Sequence, residues 1–289
     1  MAKRGPSSTF NGAAVRRAVH VRYERPPVLD DDWAVKLIDR KSRLLVRIPP
    51  LYRRYLAPQQ LRSKSLFAYS ISNLRLAEEL VEHGVTAGRH QYLLLGAGLD
   101  SFGVRRQDLA DRLRVYELDH PVAQAVKRAR LIRARGSIPA NLELVPIDFE
   151  TTTITQALAP SSHDARQPST MSWLNTIAYL SVEATATSLR GLGEVSASDS
   201  RLIFNYPPNT PAGPDGEADL AAVRASVARK GEPFRSAFDP LDMERYVTDA
   251  GFVVEQHLTE ADLDRRFFSG RTDDLRPTLP ARTIVARRV

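Results

Sequence analysis

No cysteine occurs among the 289 residues. That absence excludes disulfides, thiolate metal sites and cysteine nucleophiles together. No run of about 18 apolar residues exists, so no segment reads as a transmembrane helix. Met1 to Phe10 lacks the apolar stretch of a secretion signal. A soluble, cytoplasmic protein without a membrane partner is expected. The six histidines (His20, His83, His90, His120, His163 and His257) show no metal-ligand spacing, so no metal is expected.

Acidic charge is scarce at one end of the chain. Residues 1–75 hold 16 Lys and Arg against 5 Asp and Glu, a net of +11 in a chain of +7, which leaves −4 for the other 214 residues. The basicity is therefore an N-terminal property rather than a global one. Aromatic residues do not interleave with these arginines as they do on single-strand-binding surfaces, so no nucleic-acid partner is expected. Two readings stay open: a solvated arginine face, or a positive entrance that draws an anionic small molecule.

What is present is a chain that is 43% hydrophobic, enough to bury one large α/β core. From Gln91 onward, short apolar runs alternate with helical patterns, the signature of βαβ units and a parallel sheet. Strands are predicted at Tyr92–Leu95, Leu113–Leu118, Leu142–Ile147, Thr170–Leu174, Arg201–Tyr206, Phe252–Leu258 and Thr283–Ala286. Helices are predicted from Pro121, where proline suits a first turn, and at Val182–Leu192, Glu217–Lys230 and Pro240–Ala250. The expected fold is a Rossmann-like α/β class with a mostly parallel seven-stranded sheet. Pro207-Pro208-Asn209-Thr210-Pro211 breaks the alternation, and residues of about 207–235 read as a helical cap insertion.

Upstream, Ala13–Tyr23, Trp33–Ile38 and Leu66–His83 carry apolar residues at three- and four-residue spacing with no strand between them. Residues 1–88 are thus expected to be a helical extension, packed as a lid over the carboxyl edge of the sheet in domain 89–289. Oligomeric state is not legible.

Gly96-Ala97-Gly98-Leu99-Asp100 follows the clearest strand, and glycine there lets a backbone approach a ligand closely. Asp119, 21 residues past Gly98, ends the second strand beside Glu117, at the position that accepts ribose hydroxyls. Asp148 and Phe149 end the third, offering an acceptor for an adenine amino group and a ring beside the base. The glycines alone read equally well as turn residues, Asp119 as a helix cap and Phe149 as a core ring. Three successive tips nevertheless suit one adenosine. A dinucleotide site prefers a third glycine and a helix N-terminus free for pyrophosphate. Here Ser101 takes that place, and the carboxylate of Asp100 suits a cofactor bearing an ammonium and a sulfonium. S-adenosylmethionine fits better than NAD, and an NAD(P)-linked oxidoreductase or a non-catalytic cofactor-binding protein remain the alternatives.

The stretches Tyr92-Leu-Leu-Leu-Gly-Ala-Gly-Leu-Asp-Ser-Phe102, Tyr116-Glu-Leu-Asp-His-Pro121, Val145-Pro-Ile-Asp-Phe-Glu150, Ser172-Trp-Leu174 with Tyr179-Leu180, and Gly231-Glu-Pro-Phe234 with Phe238-Asp-Pro240 occur in this order. Together they resemble the leucine carboxyl methyltransferase family. They are most similar to its bacterial branch of S-adenosylmethionine-dependent methyltransferases, which includes polyketide-tailoring carboxyl methyltransferases. Arg17-Ala-Val-His20 followed by Pro27-Val-Leu-Asp-Asp31 is similar to that branch's N-terminal segment.

The resemblance implies an O-methyltransferase acting on a carboxylate or hydroxyl of a small-molecule metabolite. It implies cofactor contacts at Gly96, Ala97, Gly98, Asp119, Asp148 and Phe149, and the wider expected set adds Lys64, Arg75, Asp100, Glu117 and Ser172. The branch usually carries Arg-x-Arg before an acidic pair. Here Asn73 takes the first arginine's place and Arg75 the second, leaving Lys64 or Arg62 to replace the missing one. Members that modify protein phosphatase place a glutamate where this chain has Leu174, which argues against that substrate. A carboxylate acceptor needs no base. A hydroxyl acceptor would need one, for which His20 and Tyr179 are the candidates, each with a structural role as its plainer reading.

Overall fold

The computed structural model describes residues 8–61, 63–209, 214–229, 231 and 233–289. Arg62, Thr210, Pro211, Lys230 and Glu232, all invoked above, lie outside the described residues. Among the described residues, seven strands form one sheet: β1 (Gln91–Leu95), β2 (Arg114–Asp119), β3 (Leu142–Pro146), β4 (Ser169–Trp173), β5 (Arg201–Tyr206), β6 (Phe252–Leu258) and β7 (Arg282–Arg288). Their spatial order is β3-β2-β1-β4-β5-β7-β6. The first five run parallel, and β7 is antiparallel to both β5 and β6.

Strand order reverses between β1 and β4, so a crevice opens at their carboxyl ends. β1 and β4 are buried at every residue, which is why they read as unbroken runs rather than alternating ones. Edge strand β6 buries only Phe252 and carries an irregularity between Val254 and Gln256.

Both faces of the sheet are covered. Leu93, Leu95, Met171, Trp173, Phe204 and Ile284 pack on one face against Ile154, Leu189 and Met243 of the helices Ile154–Leu158, Val182–Glu194 and Pro240–Asp249. Tyr92, Leu94 and Val115 pack on the other against Val81, Phe102 and Leu131. Burying a side chain of this size contributes about 1.5–3 kcal/mol, so removing these helices would expose the whole sheet.

The N-terminal prefix divides in two, which the expectation of a single lid did not anticipate. Its long helix Lys64–Thr86 is a layer of the core: Tyr69, Leu76 and Ala77 meet Ile203 and Val285 of the sheet. Apolar residues on two sides of that helix explain the contact. The first helix, Ser8–Tyr23, instead buries Ala14, Val15, Ala18 and Val19 in a separate cluster with Ile38, Val46, Leu56 and one residue of the glycine loop, Leu99. This second part meets the glycine loop directly. Among the described residues no helix is long and apolar enough to cross a membrane.

Candidate cofactor site

The glycine loop is held by geometry that side chains would disrupt. Gly96 has φ +65° and Gly98 φ +49°, both left-handed. A Cβ on Gly96 would lie 2.1 Å from Thr176 Oγ1, beyond the end of β4. The loop therefore packs directly against the neighbouring strand's exit. Gly96 and Ala97 donate their N–H groups to the Leu118 carbonyl at 2.8 and 3.3 Å.

Asp119 ties the first two strand tips together. Its carboxylate accepts the Gly98 N–H at 2.5 Å and the His120 N–H at 2.7 Å. Burial pushes this carboxyl up, and the two N–H groups pull the other way. The Asp119 carbonyl accepts from Ile147 at 2.9 Å, which brings in the third tip. There Asp148 accepts the Glu150 N–H at 3.1 Å, and Phe149 stacks on Trp173 at a centroid separation of 5.7 Å. Four strand ends thus form one continuous rim, carrying two carboxylates and one half-buried ring.

Asp100 caps the helix behind the loop by accepting the Phe102 N–H at 2.7 Å. Its other oxygen has no hydrogen-bond partner among the described residues. That helix, Phe102–Arg105, is a single turn. A pyrophosphate would find neither a long helix dipole nor a free N-terminus here. An aminoacyl sulfonium nucleoside finds carboxylates at the tips of β3 and β2 and, in Asp100, on the loop after β1, so the residues present fit S-adenosylmethionine.

Several expected residues are placed elsewhere. Glu117 and Ser172 lie under the loop, inside the sheet's face: Glu117 pairs with Lys127 at 2.5 Å, and Ser172 Oγ meets the Tyr92 hydroxyl at 2.7 Å. Glu117 and Lys127 are 1% and 2% exposed, and burial pushes the Glu117 carboxyl up to about 7 despite the ammonium. Neither Glu117 nor Ser172 presents its side chain to the crevice. Lys64 donates to the Asp273 carbonyl at 3.0 Å, and Arg75 pairs with Glu79 at 3.3 Å and Glu82 at 3.7 Å. Asn73 is buried, donating to the Tyr69 carbonyl and accepting from Thr283, so it faces β7 rather than the glycine loop.

His20 is fully buried with both ring nitrogens committed. Nε2 accepts the Val28 N–H at 2.8 Å, which leaves Nδ1 to donate to Glu24 at 2.6 Å. This arrangement makes it a brace of the prefix. Tyr179 lies half-buried, its ring edge-on to Phe234 at 5.5 Å.

Sequence reasoning missed Asn175. It follows β4, at φ +58°, a conformation that only glycine and short polar residues adopt readily. Its backbone N–H donates to Asn205 Oδ1 at 2.7 Å. That bond identifies the Asn205 oxygen, so its Nδ2 is the donor to Asn175 Oδ1 at 3.0 Å, where Ser70 Oγ also donates at 3.1 Å. The Asn175 Nδ2 group is left without a partner among the described residues, exposed at the crevice between β1 and β4. No spacing rule marks such a residue, because its partners come from a different strand and a distant helix.

Comparisons with known proteins agree with this architecture. The family model "Leucine carboxyl methyltransferase" matches residues 11–193. "Putative S-adenosyl-L-methionine-dependent methyltransferase YktD" of Bacillus subtilis (strain 168) is 28% identical over 291 residues, covering 95% of each chain. A similarly named protein of Frankia alni, FRAAL5401, is 29% identical over 245 residues, 82% of this chain and 74% of its own. Among solved structures, a "putative methyltransferase" from Thermobifida fusca YX superposes with TM-score 0.60 at 17% identity, covering 99% of this chain and 96% of that one. A duf574 family protein from Streptomyces avermitilis MA-4680 superposes with TM-score 0.59 at 14% identity, covering 96% and 97%. With a matched model spanning more than half its length and a sheet of the same class, the chain belongs to the leucine carboxyl methyltransferase family of S-adenosylmethionine-dependent methyltransferases.

Proposed function

We propose that the protein is an O-methyltransferase whose acceptor is the carboxylate of a small molecule. The cofactor would lie on the rim, with Asp119 on the ribose, Asp148 and Phe149 at the adenine, and Gly96 to Gly98 beneath the aminoacyl chain. Bound there, S-adenosylmethionine supplies an electrophilic methyl on a sulfonium. The protein's own work is then alignment of the acceptor and exclusion of water. The first helix, whose cluster takes in Leu99 of the glycine loop, would cover the crevice.

The observation that carries the carboxylate reading is the state of His20. Both its nitrogens are engaged, so one of the two candidate bases is unavailable for deprotonating a hydroxyl. A carboxylate is ionised at neutral pH and needs no proton removed. Asn175 Nδ2, oriented by Asn205 and Ser70, is a donor suited to a carboxylate oxygen. The basic N-terminal region would favour approach of such an anion.

The test is incubation with isotopically methyl-labelled cofactor and a panel of aromatic and aliphatic carboxylic acids, phenols and amines. Methyl esters release labelled methanol in mild base, whereas methyl ethers and methylamines do not. Base-labile label on acids supports the proposal. Turnover confined to phenols or amines sinks it.

A further inference from the structure

We infer that Asp31 and Arg17 are positioning residues for cofactor binding, fastening the first helix to the glycine loop so that docking of one sets the shape of the other. The inference rests on the placement of the cofactor on that loop. Asp31 is 2% exposed and is not on the rim. One of its oxygens accepts from Ser101 Oγ at 2.5 Å and from the Ala34 N–H at 2.9 Å. The other accepts from Arg17 Nε at 2.7 Å. Arg17, in the first helix, also donates through Nη2 to the Leu99 carbonyl at 2.6 Å. Leu99 and Ser101 flank Asp100, so an anchor on each side leaves that residue little freedom to turn.

Packing reinforces the polar fastening. The Leu99 side chain is buried in the cluster of the first helix rather than in the cores of the sheet. At the helix's start, the Phe10 ring would lie 3.8 Å from a Cβ on Gly98. If the helix lifted, the Leu99 carbonyl and the buried Asp31 and Ser101 groups would lose partners that water would have to replace. Leaving such groups unsatisfied is costly. Helix docking and loop shape are therefore one equilibrium, and a ligand that favours the loop's present shape must favour docking. By the same linkage, loosening the fastening must weaken the ligand.

Calorimetric titration of S-adenosylhomocysteine into the full-length protein tests this, together with hydrogen exchange of residues 8–23. Asp31→Asn keeps the side chain's shape and removes its charge, and should weaken S-adenosylhomocysteine by about tenfold, within the usual range of a coupling between sites. S-adenosylhomocysteine should slow exchange in the first helix of the unaltered protein and do so less in Asp31→Asn. Val247→Ala serves as the control: it hollows the packing of the helix Pro240–Asp249, outside the cluster that holds the first helix and Leu99, lowers the melting temperature, and should leave affinity within about twofold. Should Asp31→Asn fail to fold, Ser101→Ala decides, because it deletes only the loop's hydroxyl and should weaken binding by about threefold.

Unchanged affinity in Asp31→Asn, or equal weakening by Val247→Ala, overturns the inference. So does exchange in the first helix that ignores S-adenosylhomocysteine in the unaltered protein. Asp119→Ala separates this failure from that of the cofactor placement. Weaker binding in Asp119→Ala beside unchanged binding in Asp31→Asn removes only the fastening role. Unchanged binding in Asp119→Ala removes the placement and the inference together.

Discussion

Gly96 shows how a residue's role depends on what its missing side chain would meet. Its left-handed backbone alone would make another residue uncomfortable, and Thr176 behind it makes one prohibitive without movement. Gly96→Ala should therefore lower unfolding stability by about 1–3 kcal/mol through overpacking, read from the urea midpoint, and should also weaken S-adenosylhomocysteine. A stability loss without any effect on affinity would separate the loop's fold from its function. The glycines and Asp119 were legible in the sequence as residues of neighbouring strand tips, because local composition fixes that placement. Asn175 was not, since its left-handed turn and its amide orientation depend on Asn205 and Ser70. Glu117 was legible as acidic but not as buried: its partner Lys127 sits in a helix whose cations Arg128, Arg133 and Arg135 are exposed.

The elements divide by how their ends are specified. The strands fell within a residue or two of their predicted limits, because β-runs buried on both faces announce themselves by composition. The segment from Arg40 to Leu61 gave no such signal. It folds as a short helix, a proline-started turn, a π-helical turn over Tyr52–Leu56 and another turn, fastened by the stack of Tyr23 on Tyr52 at 3.8 Å. Arginines and leucines there follow no clean period, so tertiary contacts choose the breaks. Asp39 is a local exception. It caps Arg40–Arg47 by accepting the Ser42 N–H at 2.9 Å and also accepts from Asn11 of the first helix at 2.6 Å. Asp39→Ala should cost about 0.5–2 kcal/mol, the range for a lost N-cap, measured by thermal or urea unfolding. A value near zero would mean that neither cap nor cross-link contributes.

At the scale of the whole molecule, charge is divided between a basic prefix and a mildly acidic body, and part of the prefix's charge is neutralised internally. Arg16 pairs with Glu24 at 3.0 Å and Arg17 with Asp31 at 2.7 Å. Among the described residues the deepest charge pair lies in the body, at Glu117 and Lys127, and it should leave a signature in the pH dependence of stability. The Glu117 carboxyl is raised from its usual 4.5 to about 7 by burial, so between those values the folded protein holds a proton that the unfolded chain releases. Its stabilising contribution is complete below about pH 4.5 and is lost as pH rises through about 7. The slope from this one group cannot exceed about 1.4 kcal/mol per pH unit. Comparing the melting temperature of the unaltered protein with that of the Glu117→Gln/Lys127→Met double variant across this window isolates it. Parallel curves would show that Glu117 does not titrate there.

The sequence by itself determined the class of sheet, the loop and the acidic strand tips, because each is encoded by local composition: apolar runs, a glycine pair and carboxylates at fixed offsets. Tertiary structure decided the rest. It sent the long prefix helix into the core and kept the first helix at the glycine loop, a choice made by how many faces of each helix are apolar and what remained to cover them. It committed both nitrogens of His20, buried Glu117 against Lys127 and turned Asn175 toward the crevice. These outcomes depend on pairs of residues far apart in the chain, and a hydrogen bond between such residues exists only once the fold has brought them within about 3 Å.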